Sequence, residues 1–234
     1  MKLIADIRFF ESETVDATNP PYIGEMYKID YKVLAAVAER FILRLREKRI
    51  SLPDFDHIYV CVSPSLNNGT VEFSNREVDR YSPFYRFVNA GLCDTDFNLL
   101  SESKKIQTLI SIAVQSVSLY LNEESICEDV TASADYILAN GSESILVFKE
   151  KQGKNYSVQI MVQVLSFNAF LPFVRVLDAN NHILKEFKPC NVMTLDEFSM
   201  QYGSINITAK MVTIKPKKNA FSSMYNFASL TFPI

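Results

Sequence analysis

Apolar residues in the first part of the chain repeat at the spacing of an amphipathic helix. The clearest case is a helix predicted over residues 31–48, where the side chain of Asp30 can accept from the free amides of the first turn. One face of this helix carries Leu34, Ala38, Phe41 and Leu45. A second helix is predicted from Ser101 to about residue 121, and a shorter one over about residues 127–139. Gly141 follows the third helix, as is typical of a helix C-terminus.

The spacing changes after Gly141 from the helical period to the alternation of β-strands. Hairpins are predicted for residues 144–149 with 156–165 and for residues 173–177 with 182–188. Thr194 and Glu197 have the spacing of a capping box and predict a short helix that ends near Gly203. Residues 205–214 predict one further strand with a bulge at Met211-Val212. The aromatic tail, residues 221–234, is expected to be ordered.

Strands are also predicted in the first half. Residues 2–10 are apolar, β-branched and aromatic, and residues 58–62 form a second apolar run. The sequence Asn67-Asn68-Gly69 before residues 70–73 predicts a hairpin turn, because Asn-Gly tolerates the positive φ of such turns.

This order of elements predicts an α+β fold. About three main helices occupy the N-terminal and middle parts, and an antiparallel sheet of hairpins occupies the C-terminal half. No linker rich in Gly, Ser or Pro interrupts the chain, so we expect one globular domain over residues 1–234, with a subdivision near residue 140 as the alternative.

Composition supports a packed core and places the charge in one region. The 234 residues are 48% hydrophobic and 22% charged, with a formal net charge of −3, which disfavours disorder and general attraction to nucleic acid or anionic lipid. Residues 94–135 contain eight acidic and two basic side chains, a net charge of −6. This middle region is therefore the electrostatically distinctive part of the chain.

The N-terminus and the cysteines predict a cytoplasmic protein. The N-terminus reaches Asp6, Arg8 and Glu11 before any apolar run of about 7–15 residues, so it lacks the pattern of a secretory signal. The most apolar long segment, residues 106–121, is broken by polar side chains and predicts a buried helix rather than a membrane span. Four widely spaced cysteines predict free thiols and no zinc site.

The usual catalytic patterns are missing from the sequence. His57 and Cys61 are four residues apart on a predicted strand, about 13 Å, which is too far for a catalytic dyad. Six isolated glycines form no phosphate-binding loop. Residues 178–182 resemble only the start of a calcium loop and predict a hairpin turn. We therefore expect no catalytic residues, no metal and no cofactor.

The segment from Asn75 to Phe87 interleaves arginines with aromatic residues. Such a combination can grip single-stranded nucleic acid, but Glu77 and Asp79 bring the segment close to neutral. A packed loop whose arginines extend their charged ends to solvent is the preferred interpretation, and no nucleic-acid partner is expected.

The acidic region supplies the candidate binding residues. Carboxylates at a helix N-terminus and on a solvated helix face explain part of it. The functional alternative is a patch complementary to a basic partner. The residues predicted to bind this partner are Asp94, Asp96, Glu123, Glu124, Glu128 and Asp129.

The chain combines this acidic region with a slightly negative net charge and an α+β pattern without a catalytic motif. In these features it resembles the immunity proteins of bacterial polymorphic-toxin and contact-dependent growth inhibition systems. The resemblance implies a cytosolic protein that neutralises a cognate toxin domain, often a nuclease, by covering its basic active site. One alternative is an enzyme or small-ligand-binding protein whose site is assembled from scattered residues such as His57, Cys61 and His182. Another is a structural or assembly protein whose aromatic tail contacts a neighbouring subunit.

Overall fold

The computed structural model describes residues 1–78, 83–189, 191–218 and 227–234. The fold is α+β, as the sequence predicts, and the chain divides into two compact units, Met1–Gly141 and Ser142–Ile234. The strands of the first unit are β1 Lys2–Leu3, β2 Asp6–Glu11, β3 Ser51–Leu52, β4 His57–Ser63, β5 Val71–Phe73 and β6 Tyr85–Gly91. Its helices are α1 Tyr31–Glu47, α2 Asp94–Asn98, α3 Glu102–Ser118 and α4 Glu124–Asn140, followed by a 3₁₀ turn at Gly141–Glu143.

The main sheet of the first unit has the strand order β2-β4-β6-β5. β2, β4 and β6 are parallel, and only β5 runs antiparallel to its neighbour. The hairpin predicted at Asn67-Asn68-Gly69 is wrong. Gly69 does have a positive φ of 84°, but β5 pairs with β6 and not with β4. Parallel pairing follows because α1 carries the chain from β2 back to the start of β4.

One face of this sheet is packed against the helices. Ile58, Val60 and Val62 of β4 share a single core cluster with residues of α1, α3 and α4. Alternate residues point to the opposite face, so that face carries His57, Tyr59, Cys61 and Ser63. We call it the outer face.

The three long helices begin and end close to the predicted residues. The side chain of Asp30 accepts a hydrogen bond from the amide of Lys32 and caps α1, as predicted. Ser101 is the N-cap residue of α3, and Gly141 follows α4 with a φ of 52°. α4 begins three residues earlier than its apolar pattern indicates, so Glu124 is its first residue.

The second unit is a meander with a smaller sheet. Its strands are β7 Ile145–Gln152, β8 Ser157–Ser166, β9 Ala169–Leu177, β10 Ile183–Phe187, β11 Ser204–Ile207, β12 Met211–Lys215 and β13 Leu230–Pro233, with helix α5 at Leu195–Gln201. The antiparallel order β10-β9-β8-β7 contains both predicted hairpins. At the β9–β10 turn, Asp178 accepts from the amides of Asn180 and His182, so this segment is a hairpin turn.

Two other expectations for the second unit have different outcomes. Thr194 and Glu197 form both hydrogen bonds of the predicted capping box. The single bulged strand predicted over residues 205–214 is wrong, because the chain turns at Thr208 and β11 pairs antiparallel with β12. Of the aromatic tail, residues 230–233 form β13 against β12 as expected, and residues 221–226 lie outside the described residues.

Candidate functional site

The six predicted binding residues form two groups. Asp94 and Asp96 lie on the short helix α2, where Asp94 is half-buried and Asp96 is exposed. The other four residues lie at the start of α4. The 17-residue helix α3 runs between the two groups and is about 25 Å long. The two groups therefore lie at opposite ends of α3, and the six carboxylates do not form one patch.

The start of α4 concentrates exposed carboxylates. Glu123 is the N-cap residue, Glu124 and Glu128 are one turn apart, and all three side chains are exposed. Asp129 is exposed too, but its carboxylate lies 3.3 Å from the ammonium group of Lys48 on α1. Within the described ranges, the carboxylates of Glu123, Glu124 and Glu128 have no ion-pair or hydrogen-bond partner.

The helix dipole accounts for only part of this pattern. Carboxylates at the first turn of a helix are stabilising, which explains Glu123 and Glu124. Glu128 is one turn further along, and like charges at positions i and i+4 cost a few tenths of a kcal/mol. The repulsion between Glu124 and Glu128 therefore offsets part of the stabilisation that Glu124 gives to the helix N-terminus, and the helix dipole does not account for Glu128.

Among the described residues, which leave out Cys190, neither histidine forms a hydrogen-bonded pair with a cysteine. His57 Nδ1 lies 2.6 Å from the carboxylate of its sequence neighbour Asp56, and His182 is mostly exposed, with its ring 3.2 Å from Asp178. The Cys61 thiol lies on the outer face, and burial raises its pKa to about 11. A nucleophilic thiol needs a lowered pKa, so the buried Cys61 is protonated and inert in this conformation.

The arginine-rich aromatic segment is partly strand rather than loop. Residues 85–87 belong to β6, which corrects the expected loop, while Arg80 and Tyr81 lie outside the described residues. On the outer face, Tyr59 stacks on Tyr85 with ring centroids 5.2 Å apart. The guanidinium carbon of Arg76 lies 3.6 Å from the centroid of Phe87. One face of each of these rings is thus occupied from within the protein, which reduces the surface that a base would need for stacking.

Two carboxylates with structural importance were missed by the sequence interpretation. Glu11 is 3% exposed and accepts from four consecutive backbone amides, those of residues 24–27, at 2.9–3.1 Å. It lies on the core face of β2, in alternation with Ile7 and Phe9. A charged residue at an apolar position of a strand is a pattern that could have identified it.

The second missed carboxylate is Asp16, in the loop after β2. Its oxygens accept from the Ser74 hydroxyl at 2.5 Å, from the Asn89 amide at 2.9 Å, and from the backbone and side chain of Asn75. These hydrogen bonds, that of Ser74 foremost, lower the pKa of Asp16. Its partners are 58–73 residues away in sequence, so no local pattern could have predicted them.

No group of three or more histidine, cysteine or acidic side chains suited to a metal ion occurs among the residues that the structure describes. In the same part of the chain, no helix combines the length and the apolarity needed to cross a membrane. Comparisons of this chain with protein-family models, curated proteins and solved structures gave no match.

Proposed function

We propose that this chain is a non-catalytic binding protein that neutralises a cognate toxin domain by covering its functional surface. The observation that carries the proposal is the exposed set Glu123, Glu124 and Glu128 at the start of α4, whose carboxylates have no ion-pair partner among the residues that the structure describes. Exposed carboxylates that are not engaged in ion pairs are available for a basic partner surface, such as the active site of a nuclease.

The remaining predicted residues have different roles in this proposal. Asp129 shares its charge with Lys48 and contributes less to a partner. Asp94 and Asp96, beyond the other end of α3, would contact the toxin only if its interface extends along that helix. The inert thiol of Cys61 supports a binding role over nucleophilic chemistry at this position.

The proposal is tested first in cells. The toxin probe is the protein encoded directly upstream of this gene, expressed alone or with this chain. Growth arrest by the upstream protein, and rescue by co-expression, is the expected result. An upstream protein that leaves growth unchanged, or a toxin that this chain does not neutralise, would count against the immunity function.

The acidic surface is tested by charge reversal. Changing Glu123, Glu124 and Glu128 to Lys should weaken toxin binding about tenfold or more and reduce its dependence on salt, because the opposite charge no longer attracts the partner. Binding is measured by calorimetry at low and high salt, with circular dichroism to check the fold. Three lysines at a helix N-terminus would also destabilise the helix itself. The corresponding Gln variants remove the negative charges without this effect.

A matched control changes the net charge equally at another place. Glu143, Glu150 and Asp196 are exposed residues of the second unit, and their reversal to Lys should leave toxin affinity nearly unchanged. Equal losses in both triple variants would mean that general charge attraction, and not the start of α4, determines binding.

A further inference from the structure

The loop after β2 crosses the outer face of the parallel sheet. It leaves the strand with the Ser12 amide bound to the carbonyl of Val62, at 3.1 Å. Four residues later, Asp16 bonds to Asn89 of β6 in both directions. The Asp16 carboxylate accepts from the Asn89 side chain, and the Asp16 amide donates to its Oδ1 at 3.4 Å. The loop therefore spans from β2 over β4 to β6.

Asp16 joins this loop to a second segment. Its carboxylate also accepts from Ser74 and Asn75, which follow β5. The Ser74 hydroxyl in turn accepts from the amide of Arg76. One carboxylate thus connects the loop after β2, the middle of β6 and the segment after β5.

Cys61 lies directly beside this connection. It is the register partner of Asn89, so the two side chains are neighbours on the outer face. Cys61 is 2% exposed and Asn89 is 1% exposed, whereas Tyr59 and Phe87, the next pair along the same strands, are only half-buried. The outer face is therefore fully buried at the position where the loop crosses it and only partly buried one residue pair further along.

The loop is also held in an unusual backbone conformation. Asp16 and Asn19 have positive φ angles of 56° and 53°, a region that residues other than glycine enter at a cost, which is smaller for Asp and Asn than for other side chains. The hydrogen bonds of Asp16 offset this cost in the closed position. Without them, extended conformations that lift the loop from the sheet become more favourable.

We propose that residues 12–19 form a strap, locked by the Asp16 carboxylate, whose opening controls access to Cys61 and to the carboxyl end of the parallel sheet. This device is independent of the α4 surface. Opening would remove the burial that protects Cys61 and would leave its thiol with Arg76 as the nearby cation. The closed strap keeps the thiol inert, and the open strap makes it accessible and more reactive.

The test uses the reactivity of Cys61 as the readout. Cys93 and Cys190 are changed to Ser and Cys127 to Ala in the full chain, which leaves Cys61 as the single thiol. The probe is 5,5′-dithiobis(2-nitrobenzoate), and the thiolate that it releases is followed by absorbance. In this background, Asp16→Ala should react about tenfold faster or more, because the loss of even one of the hydrogen bonds to this carboxylate would give about that factor.

Local opening is distinguished from global unfolding by the dependence on urea. Below the unfolding transition, strap opening should give a rate that hardly changes with urea, whereas unfolding gives a rate that rises with the full slope. Ser74→Ala removes the hydroxyl that donates to Asp16 and accepts from the Arg76 amide, and it should accelerate the reaction in the same direction. This second variant keeps the test valid if Asp16→Ala does not fold. Glu13→Ala, an exposed change in the same loop, should have no effect.

Two results would overturn the proposal. One is a Cys61 reaction that stays as slow in the Asp16→Ala and Ser74→Ala proteins as in the parent. The other is a reaction in all variants that follows the global unfolding slope down to zero urea.

Discussion

At the scale of single residues, the carboxylate of Glu11 secures the segment that follows β2. Each of its oxygens accepts two amide hydrogens from residues 24–27. Glu11→Ala would leave four backbone amides, that of Tyr27 buried and the other three partly buried, without their acceptor. We therefore expect it to lower the free energy of unfolding by about 3 kcal/mol. Glu11→Gln should also be destabilising, because its NH₂ group would face amide donors. Urea denaturation measures both changes.

The control for this prediction is Glu13→Ala. Glu13 is exposed and only two residues away, and its removal should change stability by less than about 0.5 kcal/mol. If Glu11→Ala unfolds at the urea concentration of the parent protein, the four amides do not depend on this carboxylate.

Glu39 makes stability depend on pH. Burial, with a smaller contribution from the nearby charge of Asp6, raises its pKa from 4.5 to about 7, while Arg46 opposes the shift. The folded protein therefore holds the Glu39 proton more tightly than the unfolded chain. Stability should fall as pH rises from about 4.5 to 7, and the full cost, up to about 3 kcal/mol, is present above pH 7.

Glu39→Gln removes this titration and should stabilise the protein at pH 8 more than at pH 4.5. Melting temperatures across this pH range measure the difference. Glu143→Gln, at an exposed position, serves as the control and should leave the pH profile unchanged. A Glu39→Gln profile parallel to that of the parent would show that Glu39 does not titrate in this range.

The residues that were predicted correctly act over short distances in sequence. Asp30 bonds to an amide two residues away, and Thr194 and Glu197 bond to each other. Glu11 and Asp16, by contrast, bind groups 13–16 and 58–73 residues away. A pattern of neighbouring residues cannot specify partners that only the folded chain brings together.

At the scale of elements, periodicity predicted the type of an element better than its pairing. The three long helices and the two hairpins of the meander were confirmed, because their apolar spacing and turn residues lie within each segment. The predicted pairing of β5 with the preceding strand was wrong. Asn-Gly favours a tight turn, but it does not determine which strand pairs with the residues that follow the turn. Residues 205–214 contain a turn at Thr208 without Gly or Pro, so their alternation suggested a single strand.

The candidate site was predicted in part for the same reason. That Glu123, Glu124 and Glu128 are exposed follows from the helical pattern of α4. The pairing of Asp129 with Lys48 does not, because it depends on how α1 packs against α4. The separation of Asp94 and Asp96 from the other four residues, by contrast, follows from the helix that the sequence already predicts between them.

At the scale of the whole molecule, one cooperative domain over residues 1–234 remains a prediction. The chain has two compact units that meet in sequence at Gly141 and Ser142. Without a linker between them, we expect a single unfolding transition by both fluorescence and circular dichroism. Limited proteolysis should not yield a stable fragment of residues 1–141. Two separate transitions, or such a folded fragment, would contradict the prediction.

The parallel pairing of the first unit has a consequence for how fast the protein folds. β2 pairs residue 6 with residue 57, so its partner arrives only after some fifty residues of chain have been brought into place. β8 and β9 instead meet across the short turn at residues 166–169. Hairpins form within about 1–10 μs. Pairing across a long loop is slower, because the chain loses conformational entropy before any stabilising contact forms. During refolding, amide protons of β8 and β9 should therefore gain protection from exchange before those of β2 and β4.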